Sequence, residues 1–305
     1  MVTGGDAEPD VVVVAVTYNS AGIVEPFLRA LPAALDGIAS AEVIVVDNSS
    51  ADGTPDLVRH LAPWVTVIDA GGNLGYGAGI NVGLRHRLGN RGVYVLNPDA
   101  VPSPGSVKVL LDAVETHAGA GMTVPRITDS EGTLKFSLRR EPTVRRAVGE
   151  AVLGGHRAAR YPMFGDMIRD PAYYVDGATA DWATGAAVFI SRPALDAVGL
   201  WDEDFFLYSE ETDYALRLRD AGLKLRYVWD AVVSHPGGDM ETSPFLWSFL
   251  TVNRVILYRR RHGPVAGAFY WSAVVANEAA RAAMGRRINQ AALKALFRGR
   301  PSIPE

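Results

Sequence analysis

The sequence predicts an α/β protein with a mostly parallel central sheet and a helical C-terminal extension. Three observations predict it. Val11–Val16, Val43–Val46 and Val93–Leu96 are unbroken runs of aliphatic or aromatic residues, as in strands buried on both faces of a parallel sheet. Segments with apolar residues at helical spacing separate them, the alternation of βαβ units. Each run ends in a polar or small-residue turn, TYNS, DNSSADGT and NPDA. In open α/β sheets, ligands gather beyond the carboxyl ends of the strands.

The elements follow in order. After the first strand, Ile23–Leu35 has helical spacing; after the second, SSADGT reads as a turn and cap, then Pro55–Leu61 as helix. Val65–Ile68 is a third strand, and GGNLGYGAGINVGL a glycine-rich loop entering a helix. The fourth strand, Val93–Leu96, leads through NPDA to a helix at Ser106–Thr116. Residues 136–172 are rich in Arg, Pro and Gly with poor periodicity, a long loop or loose helical insert. TADWATGAAVFISR supplies a strand, Arg192–Val198 and Ser209–Ala221 helices, and Leu225–Val228 with Ala231–Val233 close the body. From Phe245 onward the chain reads as helix. The expected division is a domain over 1–240 and an extension over 241–305.

Composition narrows the classes. The 305 residues suffice for one large domain or two ordinary ones. With 48% hydrophobic and 21% charged residues the chain is globular in type. It has no cysteine, which excludes disulfides, thiolate zinc sites and a cysteine nucleophile, and fits a reducing compartment. Residues 251–305 hold ten of the thirty basic residues and only two acids, Glu278 and Glu305, so an acidic body carries a basic tail. Such a tail suits anionic lipid or nucleic acid. MVTGGDAEPD is no signal peptide, and the apolar run Pro264–Ala276 falls short of the roughly twenty residues a membrane span needs, so neither is expected.

The acidic points are the candidate chemistry. Asp47 either caps the next helix or accepts from the imide N–H of uracil or thymine, with Tyr18 stacked on the base. Asp99 is either a turn aspartate or a ligand for Mg2+ or Mn2+ shared with substrate phosphates. His235, between a strand and Pro-Gly-Gly, is a structural histidine or a further ligand. Glu210, Glu211 and Asp213 either favour a helix dipole or place a general base, with Glu211 the choice and its neighbours supporting it or binding the acceptor. Trp182 is core or a platform for a sugar ring. GGNLGYGAG has no G-x-G-x-x-G straight after the first strand, which disfavours a nicotinamide site.

Together these residues resemble glycosyltransferase family 2, with its nucleotide-sugar-binding GT-A fold. VAVTYNS followed by VIVVDNSSADGT is similar to that family's opening. NLGYGAGINVGL, VLNPDA, WATGAAVFISR and WDEDFFLYSEETDYALRLRDAG look like its bacterial rhamnosyltransferase branch, over about residues 10–240. The resemblance implies donor contacts at Thr17, Tyr18, Asn19, Asp47, Asn73, Gly75, Asn81, Asn97 and Asp99. It implies acceptor contacts at Trp182, Thr184, Gly185, Glu210 and Asp213, a base at Glu211 and a metal at Asp99 and His235. Asn97 stands where the first acid of Asp-x-Asp would be, and Glu210-Glu211-Thr212-Asp213 where the family has Glu-Asp-x-Asp.

The implied reaction is inverting transfer of a sugar from a dTDP- or UDP-sugar to a glycan or polyprenyl-diphosphate-linked hydroxyl, with Mg2+ or Mn2+ as cofactor. L-Rhamnose in cell-wall assembly is the branch's offer. Aromatics beside Arg259-Arg260-Arg261 suit an interfacial helix on the inner face of the plasma membrane, or a helical pair packed on the body or on a second subunit. A sugar nucleotidyltransferase is disfavoured because TYNSAGIVEPF lacks its glycine- and lysine-rich loop. A non-catalytic nucleotide-binding or scaffold module is disfavoured by the intact acids. A nucleic-acid role rests on the basic tail alone and is not expected.

Overall fold

The computed structural model describes residues 8–237 and 243–302, and the chain divides into two units. The boundary expected at residue 240 and the start of the polar N-terminal stretch lie outside the described residues. The first unit comprises Met1–Ser137, Ala172–Phe206 and Glu210–Pro236; the second takes Leu138–Pro171, Leu207–Ser209 and Gly237–Glu305.

In the first unit, β1 (Val11–Thr17), β2 (Ala41–Asp47), β3 (Thr66–Asp69) and β4 (Gly92–Leu96) run parallel. Every residue of β1 and β4 is buried, which is why their sequences are unbroken apolar runs. Helices α1 (Val24–Ala34), α2 (Thr54–Leu61) and α3 (Tyr76–His86) connect them. The register sets Thr17 beside Asp47 and Asp47 beside Asp69, so these strands end level. Helix α3 approaches the sheet closely through two glycines. A Cβ on Gly79 would stand 2.7 Å from Val16, and one on Gly83 2.8 Å from Val14.

The chain continues through β5 (Val101–Pro102), α4 (Ser106–Thr116) and β6 (Ala120–Thr128). The sequence reading has no strand at β6, because Thr123, Pro125 and Arg126 interrupt its apolar pattern. After α5 (Val144–Leu153) and α6 (Gly155–Ala158), which belong to the second unit, the strand Ala187–Ser191 lies antiparallel between β4 and β6. Helix α7 (Arg192–Val198) and helix α8 (Glu210–Asp220) follow. Lys224–Ser234, expected as two strands, is one irregular strand parallel to β6, and β5 and Thr179–Ala180 pair with it. The sheet is thus mixed but mostly parallel.

The second unit is helical, and residues 144–158, within the stretch expected as a long loop or loose helical insert, contribute two helices to it. Helix α9 (Pro244–Ala283) breaks at Gly263, whose φ of 81° and ψ of 175° no helix accommodates; Pro264 then starts a new half. The halves run back along each other. Arg259 meets Gly267, Tyr258 stacks on Tyr270 at 4.2 Å, and Trp247 donates to Glu278 at 3.0 Å. Helix α10 (Arg287–Arg298) joins them when Asn289 donates to Glu278 at 2.7 Å. Phe249, Val255, Leu257 and Tyr258, from the stretch proposed to lie in a lipid interface, are instead buried in this unit. Among the described residues no helix is long and apolar enough to cross a membrane.

Candidate active site

The site begins where β1 and β2 end. Asp47 is buried: its Oδ1 accepts from the hydroxyls of Thr17 (2.8 Å) and Ser50 (2.6 Å), and its Oδ2 from the Ser50 amide (2.8 Å). Asn19, in the left-handed region at φ 50°, bridges the same two turns, accepting from the Ala51 amide at 2.9 Å while its own amide donates to Ser50 Oγ at 2.8 Å. Asp47 does not cap α2. It fixes the post-strand turn through these three bonds. Tyr18 stands beside it, 43% exposed.

The loop before α3 carries the connection. Asn48 donates to the Gly75 carbonyl at 3.0 Å, and Asn73 accepts from the Gly75 amide at 3.3 Å. Gly75 has to be glycine: its φ is 88°, and a Cβ would fall 2.2 Å from the Phe206 carbonyl oxygen. The next residue, Tyr76, donates through its amide to that carbonyl (2.8 Å) and through its hydroxyl to the Gly185 carbonyl (3.1 Å). Burial, then the charges of Glu210, Glu211 and Asp99, push the Tyr76 phenol well above its usual range. Gly185 lies between the Glu211 and Tyr76 side chains: the position of a Cβ there is 3.4 Å from Glu211 Cβ and 3.8 Å from Tyr76 Cε1. Glu211 also forms part of the wall of a small pocket with Val124, Thr184, Gly185 and Trp201.

Opposite lies the candidate cation position. Asp99 Oδ1 stands 3.2 Å from His235 Nε2, and the Asn97 amide nitrogen 3.4 Å from the same ring atom. β4 and the strand Ala187–Ser191 position Asn97, whose amide donates to the Ala186 carbonyl; β6 positions His235, whose amide donates to Thr128. Among the described residues there is no group of three or more His, Cys, Asp or Glu able to hold a metal.

Two expected contacts turn out to be engaged elsewhere. Asn81 is fully buried and spends its amide on the Trp201 carbonyl and amide and on Glu203, bracing α3. Asp213 binds Arg217 at 2.7 Å, one turn along α8. Trp182 is half-buried, whereas its neighbours Thr184 and Gly185 line the Glu211 pocket. Sequence reasoning passed over Tyr76. A tyrosine enclosed by Gly75, Gly77 and Gly79 was the available signal.

Acids beyond strand ends and an acid pair opening a helix, on a mixed and mostly parallel sheet, define the molecule as an α/β protein. The comparisons with known proteins give the class. Over 233 residues the chain is 35% identical to an N-acetylglucosaminyl-diphospho-decaprenol L-rhamnosyltransferase of Mycobacterium tuberculosis, covering 73% of this chain and 75% of that one. The mannosyltransferase PcManGT of Pyrobaculum calidifontis, solved with GDP-Man and Mn2+, superposes with a TM-score of 0.55 at 20% identity, over 95% of this chain and 80% of that one. TarS of S. aureus (residues 1–349, with UDP) gives 0.52 at 14%, over 95% and 92%. These likenesses establish the GT-A fold. Residues 12–172 match the Glycosyl transferase family 2 model, and the chain belongs to that family: it is a glycosyltransferase.

Proposed function

We propose that the protein transfers L-rhamnose from dTDP-rhamnose, with inversion, to a hydroxyl of a polyprenyl-diphosphate-linked sugar in cell-wall assembly. The observation that carries this reading is Asp99 Oδ1 3.2 Å from His235 Nε2 beyond β4, in the same unit as Glu211, which lines a pocket with Thr184 and Gly185. The sugar and acceptor come from the mycobacterial relative, whose length the match largely spans. Thr17, Asn19 and Asp47 shape the nucleoside end, with Tyr18 stacked on the base; Asp47 suits uracil as well as thymine, so a UDP-sugar is the alternative donor. Glu211 removes the proton as the acceptor oxygen attacks the anomeric carbon and the nucleoside diphosphate leaves from the other face. Thr184 and Gly185 border the acceptor.

One carboxylate, one imidazole and one amide fit a divalent cation that draws its other ligands from a diphosphate. Asp99 and His235 would hold Mg2+ or Mn2+, which offsets charge on the leaving diphosphate.

A lipid-linked acceptor brings the enzyme to a bilayer, and α9 offers a surface for it. Past Gly263 the outward face shows Val265, Ala268, Phe269, Ser272, Ala276, Ala280 and Ala283, all uncharged. Exposed Arg259 and Arg260 stand before it and Arg286 and Arg287 after it, while the one acid among described residues 243–302, Glu278, is wholly buried. That charge pattern complements anionic lipid.

The deciding experiment is transfer from dTDP-rhamnose to polyprenyl-diphosphate-linked N-acetylglucosamine. Glu211→Gln is expected to bind nucleotide and lose about 10²–10⁴ in turnover. EDTA is expected to abolish activity and Mn2+ or Mg2+ to restore it. Wild-type turnover in Glu211→Gln would remove the base from the mechanism.

A further inference from the structure

Residues 142–165, in the second unit, hold none of the groups assigned to transfer. Yet six of the seventeen exposed large hydrophobic side chains among the described residues fall within 148–164: Val148, Val152, Leu153, Tyr161, Met163 and Phe164. Single exposed apolar residues are ordinary, whereas a cluster marks a place of contact.

The cluster is one built surface. Arg145, Val148 and Val152 recur at i, i+3 and i+7, so they share one stripe of α5, and all three are exposed. The other side of that helix, with Val144 and Ala147, joins Val255, Tyr258, Tyr270 and Val274 of α9 in an apolar cluster. The segment after α6 folds back over α5. Arg145 Nε donates to the Met163 carbonyl at 3.1 Å, and Arg146 Nε to the Pro162 carbonyl at 3.2 Å. Gly149 admits the segment, since a Cβ there would fall 2.4 Å from the Phe164 carbonyl oxygen. The Tyr161 carbonyl accepts from the Phe164 and Gly165 amides, closing a turn on which the Tyr161 and Phe164 rings meet edge to face at 6.5 Å.

The exposed charge around this surface has one sign. Within residues 142–169 it comes from Arg145, Arg157 and Arg160, with exposed His156 beside them. The two acids of that stretch, Glu150 and Asp166, are not exposed, and Glu150 meets Arg254 at 3.4 Å. Apolar and aromatic side chains rimmed by arginines complement an anionic bilayer. The apolar groups enter the headgroup boundary and the guanidinium groups meet lipid phosphates.

We propose that α5, α6 and the turn after them, residues 145–164, form a docking surface for an anionic membrane. The surface shares no residue with the outer face of α9, and it stands on its own side chains whatever the donor and acceptor are.

The chain has no cysteine, so Met163→Cys carrying an environment-sensitive fluorophore reports this turn alone. The full chain, so labelled, is mixed at low salt with vesicles of phosphatidylglycerol or of phosphatidylcholine. Emission is expected to rise and shift to the blue on phosphatidylglycerol, and the change to shrink as salt is added. In sedimentation of the unlabelled chain, Arg157→Gln with Arg160→Gln is expected to weaken binding to phosphatidylglycerol about 25-fold, at about fivefold per arginine. Val152→Ser with Tyr161→Ser is expected to weaken it about tenfold or more. All four side chains are exposed, so both double variants should melt within about 2 °C of wild type. A silent label on a chain that sediments with the vesicles would overturn the proposal and leave the α9 face as the contact. Wild-type sedimentation retained by both double variants would overturn it in the same way. No sedimentation of the wild type at low salt would overturn both bilayer surfaces at once. A label that brightens with protein concentration alone, beside a dimer in sedimentation equilibrium, would give the surface to a second copy of the chain and overturn the proposal.

Discussion

Among the described residues four carboxylates are buried, and the two units use theirs differently. In the first unit they are Asp47, Glu210 and Asp213, at a strand end and in the first turn of α8. The sheet behind them is aliphatic: β1 and β4 contribute only apolar side chains until Thr17. In the second unit the buried carboxylate, Glu278, lies in the middle of the helices and accepts from Trp247, Asn277 and Asn289, with Arg254 at 4.0 Å. Buried charge in the first unit gathers at a strand end and at the start of a helix. In the second it is a joint that three helical segments share. Burying a charge is costly unless it is paired and hydrogen-bonded: Asp47 has the Thr17 and Ser50 hydroxyls, Asp213 has Arg217, and Glu278 has its three donors.

The comparison can be broken or sharpened by mutation. The largest stability effect is expected at the joint. Glu278→Ala strips the acceptor from two buried donors, Asn277 and Asn289, and from the half-buried Trp247, and should destabilise by about 3 kcal/mol or more, read by chemical denaturation. A loss below about 1 kcal/mol would mean that the second unit does not depend on its buried charge.

A smaller effect is expected from pH. Burial, and then the neighbouring Asp166, push the Glu150 carboxyl up to about 8, while Arg254 at 3.4 Å opposes the rise. The folded chain holds this proton more tightly than the unfolded one. Stability contributed by Glu150 is therefore complete below its ordinary value of 4.5 and lost as pH rises to about 8. Melting curves across that window should show a loss of at least about 1.4 kcal/mol that Glu150→Gln removes. A wild-type curve no steeper than the mutant's would contradict this.

The smallest stability effect belongs to the exposed half of α9. Phe269→Ser, at a residue 64% exposed, should change stability by less than about 0.5 kcal/mol. It should nevertheless weaken sedimentation with anionic liposomes, more so when combined with Arg286→Gln and Arg287→Gln. Absence of wild-type sedimentation at low salt would remove the bilayer from the account.

Much of the first unit was readable because its signals are local. Val11–Val16 and Val43–Val46 announce buried strands, and Asp47, Asp99 and Glu211 follow such runs or open a periodic helix. The missed strand β6 has Pro125 and Arg126 in its middle, tolerated because its neighbours on both sides supply the pairing. Glycines were readable as loop signals but not by purpose. Gly75 makes room for the Phe206 carbonyl, whereas Gly79 and Gly83 let α3 reach the sheet. The aromatic stretch from Phe245 to Tyr258 and the Val265–Ala283 segment look equally apolar, yet the first is largely core and the second presents an uncharged outer face.

The sequence by itself determined the βαβ order, the acids beyond the strand ends and the family, because periodicity, turn chemistry and motif spacing act within a few residues of chain. Only the tertiary structure decided that Tyr76 meets Gly185 beside Glu211, that Asn81 braces α3, and that residues 138–171 join the C-terminal helices. Those outcomes depend on contacts between residues a hundred or more positions apart, as Tyr76 and Gly185 are. Such contacts form only when the packed elements bring distant side chains together, and no local pattern encodes which ones will meet.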